Sequence, residues 1–323
     1  HDSHGVGMLP TYFRMLKSKL LKPNQKPELF NVNGSIMMFD GKRGYGQSVG
    51  KIAMNRAIKK CKSTGLVLMT LRNTHHLGRI GTYGEQCIAE GLISLHFVNV
   101  TDHPPVVAPF NGSDARFNTN PICLAMPGTK KQPEIILDMA TSRVALGKTR
   151  VAFNTGKPLK KGLVIDHLGK PSRNPAVMAA YMFPDRTDNP PIGALTPLGE
   201  YKGYSLALFC ELFGGMLSGG GTVQPGNSRK KSIINNMLTI LIDPIKLIDL
   251  NWMNNEIEEI VKYCKASPSS KKHNPVLVAG DPERHTKQER RSSGIPLDNE
   301  TWKQLMLLGE SLGLSKKEMR IAN

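Results

Sequence analysis

The 323-residue sequence predicts an α+β protein of non-Rossmann type, with a mixed or largely antiparallel sheet flanked by helices. Three observations carry that expectation. Apolar runs of strand length and amphipathic stretches of helix length intermix without a strict βαβ rhythm. The one glycine-rich turn that opens a helix does not carry the dinucleotide fingerprint. The 39% apolar, 6% aromatic composition suits a substantial core, and no apolar run reaches the ~18–20 residues of a bilayer span.

Taken in order, Pro10 suits the first turn of a helix expected to run to about Leu21 and to stop before Pro23. "SIMMFDGKRGYGQ" reads as a short strand and a glycine-rich turn. The helix that follows, "SVGKIAMNRAIKKCK", carries Val49, Ile52, Ala53, Ala57 and Cys61 at three- and four-residue spacing on one face. "GLVLMTLRN" is continuously apolar, as a strand covered on both faces should be. Further strands are expected in "LISLHFVNV", "PICLAMP", "EIILDMA", "GLVIDHLG", "NNMLTILIDP" and "PVLVAGDP", with helices near 142–153, 202–217, 253–265 and 298–313. The Lys/Ser/Pro stretch 265–274 is the expected crossing between regions.

Charge and cysteines narrow the functional classes. The net charge is +17, yet the cations scatter through "KSKLLKPNQK", "PLKKG", "NSRKKS", "SSKKHN" and "ERHTKQERR". None of these alternates with aromatics as a base-stacking platform would, so they read as solvated loops with no nucleic-acid partner. Steering of an anionic substrate is compatible with the charge. Five spread cysteines without a C-x-x-C pair point to a reducing, cytoplasmic setting and against a zinc ribbon. Residues 1–30 hold no signal-peptide core, and no membrane association is expected.

"GYGQSVG", Gly44 to Gly50, has one residue too many for G-x-G-x-x-G. The next strand ends in Arg72 and Asn73 where an acidic residue belongs, so a tight turn is the better reading. Just beyond stands the pair His75–His76. Neighbours on a strand face opposite ways, so one ion rarely takes both. A metal site would need His1, Asp2 or His4, which keeps a metal-dependent hydrolase on His1, Asp2, His4 and His76 as an alternative. With Arg79, Gly81 and Gly84 following, a histidine here is also well placed to exchange a proton with a small anion. Two stretches look like cofactor contacts. "EIILDMATSRVALGK" ends a strand at Asp138, with Thr141 or Ser142 able to cap the next helix. "GEYKGYSLAL" sets Lys202 and Gly203 at a helix start, a ready phosphate site.

Together, "HDSHGVGMLPTY", "DGKRGYGQSVG", "LRNTHHLGRIG", "HFVNV" with "VVAPF", "TNPICLAMP", "LDMATSRVALGK", "GEYKGYSLAL", "NNMLTILIDP" and "GDPER" with "GIPLD" resemble, in order and over essentially the whole chain, the malate/L-lactate dehydrogenase family of NAD(P)-dependent 2-hydroxyacid oxidoreductases. The resemblance implies a small anionic 2-oxoacid or 2-hydroxyacid substrate, NAD or NADP as cofactor, no metal, and an active site near a homodimer interface. It implies acid–base roles for His76 and for His4 with Ser3 beside it, and His76 is preferred. Arg79, Arg116 and Tyr12 are the expected substrate contacts. Thr101, Asn120, Asp138, Met139, Ala140, Thr141, Ser142, Tyr201, Lys202, Gly280, Asp281 and Pro282 are the expected contacts to the dinucleotide.

The sequence departs from the family pattern in places. Met8 stands where some branches carry an arginine that contacts substrate. Asn118 replaces a glycine, and asparagine tolerates a left-handed turn there. Relatives also have a helical segment before "HDSHG". The expected organisation is an amino-terminal helical part over 1–64, truncated upstream, and a NAD(P)-binding sheet domain with an insertion over 65–264. A carboxy-terminal segment over 265–323 packs back on the first part. A truncated, inactive relative with a binding role is the remaining alternative.

Overall fold

The computed structural model describes residues 4–183, 187–227, 230–270 and 274–319. Its frame is a seven-stranded sheet built from β1 (Glu28–Asn33), β2 (Ile36–Asp40), β3 (Leu66–His75), β4 (Ile93–Thr101), β5 (Ile122–Met126), β6 (Ile135–Met139) and β10 (Ile234–Ile242). The order across the sheet is β1-β2-β3-β10-β4-β5-β6. Only β2 and β3 run parallel; the other five pairings are antiparallel. The mixed, largely antiparallel sheet expected from the sequence is therefore what forms. The two most apolar strands, β3 and β10, lie at its centre, where both faces are covered.

Helix α2 (Gly46–Thr64) lies on this sheet with α3 (Gly81–Ile88). Val49, Ala53, Met54, Ala57 and Cys61 of α2 are fully buried against Phe39, Met69 and Leu71. Small residues on that face bring the helix close to the strands, and each larger side chain buried there contributes about 1.5–3 kcal/mol. Ile52 is only half-buried, and Met54 and Ile58 take the inner face instead. Gly65 ends α2 in the left-handed region at φ 83°, its N–H bonded to the Cys61 carbonyl.

The remaining elements hang on this frame. α1 (Leu9–Lys17) is shorter than expected, because Lys19 turns left-handed at φ 56° and the amides of Leu20 and Leu21 fold back onto the Met15 carbonyl. α4 (Leu146–Asn154) leads into a small second sheet, ordered β8-β7-β9, of β7 (Val164–Ile165), β8 (Pro171–Ser172) and β9 (Ala194–Leu195). The short helix α5 (Ala179–Met182) lies beside it, and α6 (Tyr201–Cys210) continues into a π-helical turn at Glu211–Met216. There the buried Glu211 carboxylate accepts from the side chains of Asn99 and Asn120 and the amide of Val223, tying α6 to β4. α7 (Leu250–Lys265), α8 (Asp281–Ser293) and α9 (Asn299–Ser311) follow, and α9 packs on α1.

Three expectations are corrected. "PVLVAGDP" forms no strand: residues 275–278 are irregular and lead directly into α8. "ERHTKQERR" is not a loop but the middle of α8, whose side chains are so polar that no apolar period marks it. Asn118 does not adopt the left-handed turn; its buried amide donates to the Val100 carbonyl at 3.0 Å, and the left-handed residue is Asn120 at φ 30°. Residues 28–40, on the amino-terminal side of the boundary expected at 64, contribute two strands of the main sheet. No helix of the described residues is long and apolar enough to cross a membrane.

Candidate active site

The histidine pair sits where β3 leaves the centre of the sheet. Asn73 turns left-handed at φ 52°, and the pairing of β3 with β10 shifts register there, with Arg72 and Asn73 both facing Asn236. Two asparagines of β10 hold the displaced segment: Asn236 Oδ1 accepts from the Asn73 amide and Asn235 Oδ1 from the Leu77 amide, both at 2.8 Å. From the other side the start of α2 closes on it. A Cβ on Gly46 would overlap the carbonyl oxygens of both His75 and His76. The ring of Tyr83, whose hydroxyl donates to the Leu77 carbonyl at 2.8 Å, lies against Gly50. The glycines of "GYGQSVG" thus grip the histidine backbone and leave no phosphate loop.

On this platform the side chains converge. Gln47 Nε2 donates to the Tyr12 hydroxyl oxygen at 2.8 Å, which leaves the hydroxyl hydrogen for His76 Nδ1 at 2.6 Å. The network therefore assigns His76 the Nε2–H tautomer. Nε2 is the ring nitrogen left to meet a substrate oxygen. His4 stacks on His76, ring centroids 5.4 Å apart and planes 13° from parallel. Tyr45 meets Tyr12 edge-on at 5.2 Å. Burial drives His76 well below its ordinary range, and the neighbouring His4, His75 and His103 push the same way. Burial likewise brings His4 down to about 4, with Arg150 adding to the effect, and lifts Tyr12 to about 12. Tyr12 consequently remains a hydrogen-bond donor throughout the neutral range.

His75 turns inward and is 1% exposed, with its Nε2 buried and unpartnered among the described residues. Burial, then the Arg43 charge, brings it down to about 4, and Asp102 only partly offsets this. A neutral native histidine with a depressed pKa binds fewer protons than the unfolded chain below pH ~6.5. Stability must therefore fall as pH drops from there towards 4, by about 3 kcal/mol from His75 alone. Urea midpoints measured between pH 7.5 and 4.5 should decline in that window for the wild type and less steeply for His75→Gln. Equal slopes would contradict this.

The expected cofactor contacts cluster at the sheet edge beyond β6. Thr141 bonds through its amide and hydroxyl to the Thr119 and Asn120 carbonyls, and its own carbonyl accepts from the Leu198 amide. Neither it nor Ser142 caps α4, which begins at Leu146 without a side-chain cap, since the Ser142 hydroxyl donates to the Val144 carbonyl. Gly203 brings α6 against this segment, its absent Cβ 2.6 Å from the Thr141 oxygen. At the α6 start the amides of Lys202 and Gly203 already bond to Gly199 and Leu198, so a phosphate there would meet the Lys202 ammonium and not those amides. Tyr201 is exposed, and Thr101 is half-buried at the end of β4. Asn120 is buried, its amide donating to Ala207 and Glu211 and its Oδ1 unpartnered among the described residues.

Several expected contacts also hold structure together. Asp138 accepts from the Gly81 amide at 2.8 Å at the start of α3 and lies 3.7 Å from Arg79; burial nevertheless raises its pKa. Met139 and Ala140 lead from it to Thr141. Gly280 is left-handed at φ 93°. Asp281 opens α8 and pairs with Lys265 at 2.9 Å and Arg284 at 2.5 Å. Burial opposes that charge, but Lys265, the Val278 amide and Arg284 hold Asp281 down at about 2. Pro282 fills the first turn of α8.

Of the expected substrate contacts, Tyr12 is in the cluster. Arg79 is occupied by Glu85 at 2.7 Å, and Arg116 is an exposed residue paired with Asp114 at 2.6 Å. Ser3, like His1 and Asp2 of the hydrolase alternative, lies outside the described residues. Among the described residues no three His, Cys, Asp or Glu side chains converge on a metal position. Gln47, Tyr45, His103 and Arg150 were not singled out from the sequence. The first two lay inside the glycine-rich turn, and Arg150 stands two residues beyond the end of "LDMATSRVALGK".

A family profile described as malate/L-lactate dehydrogenase matches residues 1–306. Hydroxycarboxylate dehydrogenase B of Escherichia coli (strain K12) is 39% identical over 322 residues, covering 99% of this chain and 86% of that protein. L-lactate dehydrogenase of Cupriavidus necator is 37% identical over 313 residues, 97% of this chain and 87% of that one. The solved sulfolactate dehydrogenase of Methanocaldococcus jannaschii superposes with a TM-score of 0.79 at 29% identity, over 98% of this chain and 87% of that one. The chain belongs to the malate/L-lactate dehydrogenase family. By class it is a dehydrogenase.

Proposed function

We propose that the chain is an NAD(P)-dependent oxidoreductase acting on C2 of a small 2-hydroxyacid or 2-oxoacid of the malate, lactate or sulfolactate type, with His76 as proton donor and acceptor. The observation that carries this reading is the 2.6 Å bond from Tyr12 to His76 Nδ1, with His4 stacked on the same ring. An imidazole fixed at one nitrogen and offering the other is the arrangement that acid–base chemistry at a carbinol oxygen requires. The sheet-edge residues fit a dinucleotide: Lys202 makes no ion pair among the described residues and is available to a phosphate, and Gly203 keeps α6 close to the 138–142 segment. When bound, the nicotinamide would supply or accept the hydride at C2.

The chain's own part is to handle the proton. In the arrangement described, Nε2–H donates to a carbonyl oxygen and polarises it. To act as a base, His76 must bare Nε2 and carry its hydrogen on Nδ1, which then donates to the Tyr12 oxygen. Tyr12 must in turn donate to Gln47, whose Oε1 is buried and unpartnered among the described residues, after that amide turns over. The same setting accommodates the imidazolium that protonates the alkoxide in reduction. A substrate carboxylate close by would offset the clustered positive charge and raise the His76 pKa towards neutrality.

The comparable relatives include enzymes named for lactate, sulfolactate and hydroxycarboxylates, which supports this substrate class. Cytoplasmic location and a homodimer with the site near its interface belong to the same proposal. No nucleic-acid or membrane partner belongs to it. The test is a panel of 2-oxoacids assayed with NADH and with NADPH by nicotinamide absorbance. Turnover of at least one short dicarboxylic or sulfonated 2-oxoacid is expected. Absence of turnover across the panel with both nucleotides would overturn the reading.

A further inference from the structure

We propose that Arg150 binds the carboxylate of the substrate, serving as the anion clamp of the site. This rests on the reading of that substrate as a 2-oxoacid or 2-hydroxyacid. Arg150 projects from α4 onto the segment that carries His4. Its Nη1 donates to the Gly7 carbonyl at 3.0 Å, and a Cβ on Gly7 would stand 2.7 Å from Nη2, so the glycine makes room for the guanidinium. Gly7 is three residues from His4, which stacks on His76, and the Arg150 charge acts on His4, so the cation lies within electrostatic range of the proposed acid–base pair.

The guanidinium is incompletely satisfied. Among the described residues its buried Nε has no hydrogen-bond partner and no carboxylate pairs with the guanidinium. Asp298, an acidic residue close enough to act on it, is committed elsewhere. Its oxygens accept from the Thr301 amide at 2.9 Å, the Thr301 hydroxyl at 2.7 Å and Asn154 Nδ2 at 3.3 Å. Burial lowers the Arg150 pKa, which marks the cost of keeping this charge without a counterion. A cation held at such cost beside a catalytic cluster is explained by an anion that arrives with the substrate.

The rival cations are already taken. Arg79 is bonded to Glu85 and beside Asp138, Arg116 is exposed with Asp114, and Arg43 pairs with Asp102 at 3.0 Å. Met8, next to Gly7, packs on the cluster of Tyr12, Met15 and Leu21 and offers no charge. The planar fork of Arg150 matches a carboxylate in two parallel bonds, which a lysine cannot reproduce.

The test uses oxamate, a 2-oxoacid isostere, titrated against the chain saturated with the preferred nicotinamide dinucleotide. The wild type and Arg150→Gln are compared with Arg150→Lys, which keeps the charge if the first variant folds poorly. Expected are a loss of oxamate affinity of roughly 100-fold or more in Arg150→Gln and an intermediate loss in Arg150→Lys. Dinucleotide affinity should be unchanged in both. A second readout is the ratio of kcat/KM for the best 2-oxoacid over its primary amide. That ratio, measured within each variant, should collapse in Arg150→Gln, whereas a general loss of folded protein would leave it unaltered. Oxamate affinity and substrate ratio equal to wild type in the variants would overturn the clamp and leave the dehydrogenase reading standing. A wild type that neither binds oxamate nor reduces any 2-oxoacid would overturn that reading itself, and the clamp with it.

Discussion

Replacing His76 by asparagine is expected to lower kcat by ~10²–10⁴ while leaving dinucleotide affinity within about twofold of wild type, because the change removes a proton carrier and little else. Asparagine is close to histidine in size, and its Oδ1 can accept the Tyr12 hydrogen that now reaches Nδ1. The Gly46 contact and the two β10 asparagines hold the backbone of this segment, so the platform should survive. The pH profile supplies a second, independent readout. Burial places the His76 pKa well below 6.5 in the free protein. A base must be neutral to accept the hydroxyl proton, so kcat/KM for oxidation should stay level from pH 8 down to about 6.5 and fall only in more acid solution. That acid limb should be absent from the residual rate of His76→Asn. An undiminished kcat in the variant would remove His76 from the role and transfer attention to His4.

Much of the fold was legible because the signals were local and redundant. β3 and β10 are long apolar runs at the sheet centre, and α2 shows its buried face in the spacing of Val49, Ala53, Ala57 and Cys61. Where the local signal was polar or equivocal, tertiary context decided. α8 is polar nearly throughout, so its helical character lies in the Asp281 and Pro282 start and in the Gly280 turn, not in an apolar stripe. Residues 275–278 have the composition of a strand but are irregular and join no sheet of the described residues. The site divides in the same way. His76, His4 and Tyr12 stand in motifs that can be read along the chain. The Tyr12–Gln47 bond spans 35 residues, and Arg150 meets Gly7 across 143 residues. No period or spacing reports contacts of that range. The extra residue in "GYGQSVG" was itself the clue: a turn that fails as a phosphate loop had its glycines placed for another backbone.

Gly46→Ala tests that claim, and a large effect is expected from a single methyl group. The added Cβ would overlap two backbone carbonyl oxygens, those of His75 and His76. Unlike the end of a flexible side chain, neither carbonyl can rotate aside. The His75 amide is bonded to the Gly44 carbonyl at 3.0 Å, and Leu77 is held by Asn235 at 2.8 Å. Relief must come from lifting the start of α2 or from shifting the histidine segment. Either movement overpacks the junction, with a loss of about 1–3 kcal/mol in stability offset only slightly by the better helix propensity of alanine. Either movement also displaces Gln47 or His76, the two ends of the chain of bonds through Tyr12, and a misplacement of ~1 Å at a reacting group costs ~10² in rate. Gly91→Ala is the control. Gly91 is left-handed at φ 72° with nothing within 4 Å of the position a Cβ would take, so it should lose about 1–2 kcal/mol from backbone strain alone and keep wild-type kcat. Melting temperature and kcat measured together should therefore separate the two variants: both less stable, only Gly46→Ala slow. A Gly46→Ala protein that turns over at the wild-type rate would show that the start of α2 does not set the position of His76.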